Sequence, residues 1–179
     1  HRSASLPKYY HQTLVRQAAS RPLEINIAAP SFGRKVALFA TCFSNYNDPA
    51  IGLAAHGVLA RNGVDCVIVY PECCGMPQLE QADFLSVSKK AKIISAFLVA
   101  WINKGYDIVA LVPSCALMFK FEWPLILPND ENVRKLSKHT SDISEYVVGI
   151  SQDGGLAEGL NTVPGGVTIH LACHARAQN

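Results

Sequence analysis

Thiols are the residues of this chain best placed to do chemistry. Four cysteine positions fall just beyond the end of an apolar, β-branched run: Cys42 after VALFAT, the pair Cys73 and Cys74 after VIVYPE, Cys115 after DIVALVPS, and Cys173 after VTIHLA. If those runs are neighbouring parallel strands, the thiols converge at one edge of a sheet. Open α/β sheets bind their ligands there, in the crevice beyond the carboxyl ends of the strands. Soft thiolates gathered from sequence-distant loops suit a metal ion or an iron–sulfur cluster. The turn Cys73-Cys74-Gly75-Met76-Pro77 supports that reading. Gly75 lets the backbone pass close to a bulky group and Pro77 stiffens the exit. Cys66 lies near the start of the second run and reads as a packing thiol, since free cysteine is among the most buried residue types.

Two other chemistries use the same residues. Zinc accepts four thiolates, although zinc ribbons bring theirs in close CxxC pairs, and the wide spacing here fits a cluster cradled between loops at least as well. A metal-free thiol–disulfide enzyme working through Cys73 and Cys74 would need a reactive thiol of lowered pKa.

The elements that must position these thiols follow from pattern. Residues 1–34 read as an arm with one helix through YYHQTLVRQAA, and the compact domain begins at Lys35 and runs to Gly166. VALFAT, DCVIVY, DIVALVP and VTIHLA read as strands. Asp48 and Pro49 predict a helix start and Gly63 its stop. A long helix is expected over roughly residues 79–104, with Ala82, Leu85, Val87, Ala91, Ile94, Phe97, Leu98 and Trp101 at helical spacing. A short helix after Cys115 should break near Pro124, and further helices start at Asn129-Asp130 and at Ser141-Asp142. Alternating strands and helices predict an α/β fold: a short parallel sheet flanked by helices, with the cysteine loops at its C-terminal strand edge.

Composition narrows the function. A net charge of +2 over 179 residues gives no basic face for nucleic acid. Apolar stretches are interrupted well short of spanning length, so no transmembrane segment is expected. HRSASLPKYYHQ lacks the apolar core of a secretory signal. Six cysteines in a chain this long are too sparse for a secreted disulfide scaffold, and adjacent cysteines pair with strain. A cytoplasmic, reducing compartment is expected. No GxSxG, HExxH, Walker A or GxGxxG pattern is present, which removes support for hydrolase, zinc-protease and nucleotide-binding readings.

The residues also carry a resemblance. FATCFSNYNDPAIG, ECCGMPQLEQ, GYDIVALVPSCALMFKFEWPLI and the terminal CHARAQN resemble the CCG, or cysteine-rich, domain family. That family includes the B subunit of heterodisulfide reductase and the C subunit of anaerobic glycerol-3-phosphate dehydrogenase, and the likeness is closer to the latter. It covers nearly everything from Arg34 onward. The resemblance implies an iron–sulfur protein passing electrons between a dehydrogenase or reductase partner and a quinone or thiol/disulfide couple. It also implies attachment to the inner face of the membrane only through such a partner. Cys42, Cys73, Cys74 and Cys115 carry over as ligands of a 4Fe-4S cluster, conventional or noncubane. The family motif ends in CxxC, whereas Cys115 is followed by Ala116, Leu117 and Met118, so Met118 stands where a fifth thiolate would be. Residues 167–179 resemble the start of a second such motif, with Cys173 as its first cysteine. On that likeness the sequence reads as a piece of a longer protein.

Residues around the thiols have lesser expectations. Asn45 and Asn47 could hydrogen-bond sulfur and tune potential. His174 and Arg176 could offer a proton or an anion contact at the site mouth. FKFEWPLILP, with Trp123, either shields the site from water or packs the core. Lys89, Lys90 and Lys92 read as a solvated helix face, which an acidic redox partner could also meet. His56 reads as a satisfied or exposed helical histidine.

Overall fold

Alternation within the short apolar runs assigns each side chain to one of two layers. In a computed structural model, which describes residues 6–161 and 163–178, four strands form one parallel sheet in the order β2-β1-β3-β4. They are β1 (Lys35–Phe39), β2 (Asp65–Val69), β3 (Asp107–Ala110) and β4 (Thr140–Asp142). Val36 and Leu38 of β1, with Val109 of β3, enter one core, while Ala37, Phe39, Ile108 and Ala110 enter the other. This is the two-residue period of a strand buried on both faces.

Helices cover both layers. On the first lie α1 (Leu14–Ser20), α3 (Pro49–Arg61) and α9 (Ile143–Gly154), which contribute Leu14, Leu59 and Ile150. On the second lie α5 (Phe84–Ile102) and α8 (Glu131–Lys138), which contribute Val87, Ala91, Ile94, Leu98, Val133 and Leu136. Complete burial of each such valine, leucine or isoleucine side chain contributes roughly 1.5–3 kcal/mol. Gly52 of α3 makes room for Leu14, because a Cβ there would come within 2.1 Å of the leucine Cδ2.

The expected α/β architecture is the one observed, and four local expectations are corrected. VTIHLA is not in the sheet. Val167, Ile169 and Leu171 are 73 %, 77 % and 64 % exposed, and the fourth strand is Thr140–Asp142 instead. The expected long helix is two, α4 (Met76–Glu80) and α5, separated where Ala82 takes φ +58° and Asp83 caps Ser86 N–H at 3.1 Å. Asp48 makes no side-chain cap on α3, although Pro49 does open it. Pro124 does not break its helix. α6 (Pro113–Leu117) passes through a π-helical turn, Met118–Glu122, into α7 (Trp123–Ile126). The wider turn next to a proline that cannot donate a backbone hydrogen bond is a familiar accommodation. Asp130 and Asp142 do cap α8 and α9, the latter with a full capping box through Glu145.

Among the described residues no helix is long and apolar enough to cross a membrane. α5 has the length but carries Lys89, Lys90 and Lys92.

Candidate metal centre

The strand order reverses between β1 and β3, which is the switch point where a doubly wound sheet opens a crevice at its carboxyl edge. Cys42 follows β1 as the first residue of α2 (Cys42–Tyr46), and Cys115 follows β3 in the first turn of α6. Cys73 and Cys74 follow β2 in the loop that leads into α4. The four thiols therefore border the switch point and the strand beside it. They line one pocket of about 240 Å³ together with Thr41, Phe43, Met76, Pro77, Glu80 and His174, among others.

The close sulfur pairs join different loops. Cys42 and Cys73 Sγ lie 3.9 Å apart, and Cys74 and Cys115 Sγ lie 3.1 Å apart. All four thiols are free, since a disulfide needs about 2.05 Å. Cys74 and Cys115 are 2 % and 4 % exposed, whereas Cys42 and Cys73 are half-buried and face the open side. Among the described residues no three histidine, cysteine, aspartate or glutamate side chains converge on a point where one ion could bind them all.

Local backbone aims polar hydrogens at sulfur. The amides of Phe43, Gly75 and Met76 donate to Cys42, Cys73 and Cys74, each favouring the thiolate. Gly75 makes two of those contacts achievable by taking φ +89° as the N-cap of α4, a left-handed conformation that costs other residues about 1–2 kcal/mol. Thr41, almost wholly buried, holds φ 46° while its hydroxyl accepts from Ser44 N–H at 3.2 Å. For a β-branched residue that backbone is strained, and such strain clusters at functional sites.

Electrostatics divide the thiols. The sulfur contacts with Cys42 and then Cys74, helped by the Gly75 amide and the Lys90 ammonium, hold Cys73 well below the ordinary thiol range, so it is the thiolate of its pair. Cys42 is correspondingly held protonated by its bond to Cys73 and by burial. Cys74 is pushed well up, first by its hydrogen bond with Cys115. Thiolates this close repel one another, a repulsion that a cation bound among them would offset.

Several neighbours differ from expectation. Asn45 and Asn47 do not reach sulfur. Asn45 Oδ1 accepts from Val15 N–H at 3.2 Å and Asn47 Nδ2 donates to the Lys8 carbonyl at 2.9 Å, so both fasten the N-terminal segment to α2. Lys90 is not a solvated residue like Lys89 and Lys92: half-buried, it pairs with Glu72 beside Cys73. Sequence reasoning missed that pair because the partners come from different elements. Trp123 and Phe119 are fully buried in the second core rather than lining the pocket, and Met118 is buried with its Cε behind Gly75. Cys173 is exposed and outside the pocket, as is Arg176, but His174 lines it. The short helix α10 (Cys173–Arg176) is fastened there by Gln178, whose Nε2 donates to the Pro113 carbonyl at 2.9 Å. Cys66 is most of the way buried on β2, and burial lifts it to about 12. His56 is half-buried, its Nδ1 has no partner among the described residues, and desolvation lowers its pKa.

Residues 36–120, which contain all four converging thiols, match the family model of the cysteine-rich domain, CCG. Over a longer stretch the chain is similar to proteins named lactate utilization protein A. It is 32 % identical over 148 residues to the one from Bacillus pumilus, a match covering 78 % of this chain and 58 % of that protein. It is 29 % identical over 151 residues to the one from Macrococcus caseolyticus, covering 78 % and 56 %. The chain thus spans a little under three fifths of the length of these curated relatives. No solved structure matches the chain.

Proposed function

We propose that this chain is an iron–sulfur electron-transfer module of an oxidoreductase, in which Cys42, Cys73, Cys74 and Cys115 hold a 4Fe-4S cluster. The observation that carries the reading is the convergence of four thiols on one pocket at the switch point of the sheet. A bound cluster would supply reversible one-electron chemistry. The chain would supply the donors, the amides of Phe43, Gly75 and Met76 that stabilise charge on sulfur, and the burial of Cys74 and Cys115 on one side. Hydrogen bonds to sulfur and solvent exposure are the levers that set a cluster's potential.

The sequence spacing of the donors favours the cluster over zinc. Zinc ribbons draw their thiolates from close CxxC pairs, whereas these four come from the loops after three different strands. A four-iron cluster takes one thiolate at each iron, which suits donors drawn from several separate loops. Burial of Met118 in the core leaves four thiols and no fifth in the pocket, which favours a conventional cluster over one with an additional cysteine. For metal-free thiol–disulfide chemistry the close pair would be Cys74 with Cys115, not the vicinal pair, and both are almost completely buried.

The donor and acceptor belong to partners: a dehydrogenase or reductase subunit that carries the module to the membrane face. The name of the relatives ties them to lactate use, so a hydroxy-acid-oxidising assembly is the first partner class to test. Iron, acid-labile sulfide and zinc per chain, measured on anaerobically purified protein with its optical and EPR spectra, test the reading. Iron and sulfide near four each with a reducible chromophore are expected. Zinc near one without iron would replace the electron-transfer reading with a structural metal site.

A further inference from the structure

The thiol pocket has a neighbour on the far side of α2. A second cavity, of about 360 Å³, is walled by Tyr9, Tyr46 and Tyr70 and edged by His11, Thr13 and Arg16. Its aromatic walls form a corner: Tyr46 and Tyr70 meet edge to face at 85° with centroids 5.6 Å apart, and Tyr9 lies flat on Tyr46 at 5.5 Å and 8°. The N-terminal segment that supplies Tyr9 and His11 is bound in place. Tyr10 N–H donates to the Tyr46 carbonyl at 2.7 Å, and Asn47 holds the Lys8 carbonyl. Arg16 leaves most of its guanidinium donors free among the described residues, its one contact being Nη1 with the His11 carbonyl at 3.5 Å. No carboxylate of the described residues lines the cavity.

Two elements tie this cavity to the thiols. α2 begins with Cys42 in the thiol pocket and ends with Asn45 and Tyr46 in the aromatic one, a separation of about 6 Å along the helix axis. Tyr70 lies three residues before Cys73, immediately after β2. A right-angled aromatic corner of this size, with a cation and no anion at its rim, suits a flat conjugated ring bearing a negative group. The ring would stack on one tyrosine and meet the edge of the other, and the anion would take Arg16. We propose that the Tyr9–Tyr46–Tyr70 cavity is a binding site for a small planar aromatic anion, held beside the thiol pocket. Its role as the entry or exit point for electrons rests on the cluster reading; its binding does not.

Flavins and anionic quinones both have this chemistry, and direct titration separates them. Flavin mononucleotide and 1,4-naphthoquinone-2-sulfonate are each titrated by isothermal calorimetry into the full chain, before and after iron loading. At least one should bind saturably with one site per chain in both forms, and the probe that binds names the source. Arg16→Gln should weaken that probe about tenfold and Tyr9→Ala about threefold to fivefold, with melting temperatures unchanged. Saturable binding to the iron-free chain would support the cavity even if the cluster reading failed. No saturable binding of either probe, or binding that both variants leave intact, would overturn the proposal. Tyr9 is 68 % exposed, so its removal tests the wall without touching the core.

Discussion

β2 and the loop after it carry thiols in opposite circumstances. Cys66, within the strand, faces the α1 and α3 layer beside a mainly apolar cavity of about 370 Å³, with His56 as a neighbour in its wall. Burial and the Asp65 carboxylate push that thiol up to about 12, which makes it inert. Cys74, eight residues on, is at least as buried, yet it has another sulfur at 3.1 Å and the Met76 amide aimed at it. Neither burial nor cavity volume distinguishes a site here. Convergence of donors from separate loops does, together with backbone hydrogens that favour charge on sulfur.

The largest effect of this contrast should be on metal. Cys74→Ser and Cys115→Ser should lose nearly all iron, exceeding the roughly 10- to 100-fold that supporting groups around a metal usually cost. Cys66→Ser and Cys173→Ser should keep the wild-type content. Equal iron in all four variants, by elemental analysis, would erase the distinction between the two regions.

Glycines extend the contrast to the backbone. Gly75→Val forces a β-branched residue into φ +89°, with its Cβ 3.4 Å from Lys90 Cδ, and should cost about 1–2 kcal/mol and reduce cluster retention. Gly57→Ala on α3, where an added Cβ meets nothing within 4 Å, should stabilise by about 0.5–1 kcal/mol and leave metal content alone. Chemical denaturation of both variants measures the difference in sign.

Thiol reactivity in the metal-free protein comes next. Cys73, the thiolate of its pair, should be alkylated by iodoacetamide at pH 6, and Cys66 should resist until well above pH 9, as read by peptide mass spectrometry.

The smallest effect belongs to His56. Its folded-state pKa is lowered by burial, so the unfolded chain binds the proton more readily, and stability should fall as pH drops from the ordinary imidazole range through the folded value. His56→Leu should remove that part of the acid sensitivity, in thermal melts between pH 7 and pH 5, without changing iron content.

What was legible in the sequence was local. The three apolar runs that became β1, β2 and β3 are β-branched and end in cysteine, so their pairing brought Cys42, Cys73, Cys74 and Cys115 to one edge as expected. β4 was not legible, because a three-residue strand of Thr140, Ser141 and Asp142 has no apolar alternation to read. The segment 167–171 has that alternation and lies exposed outside the sheet, so propensity alone does not make a strand. The partners of Lys90, Asn45 and Asn47 depend on tertiary contacts across 18 to 39 residues, beyond any local pattern. The aromatic corner was equally hidden, since Tyr9, Tyr46 and Tyr70 come from three separate elements.

Iron-edge X-ray absorption on the anaerobically prepared chain decides whether these four thiols hold a cluster. A first shell of sulfur alone and a distinct iron–iron vector are expected, both unchanged in Cys66→Ser and absent from Cys74→Ser. A shell of nitrogen or oxygen without an iron–iron vector, or a Cys74→Ser spectrum identical to wild type, would refute the assignment.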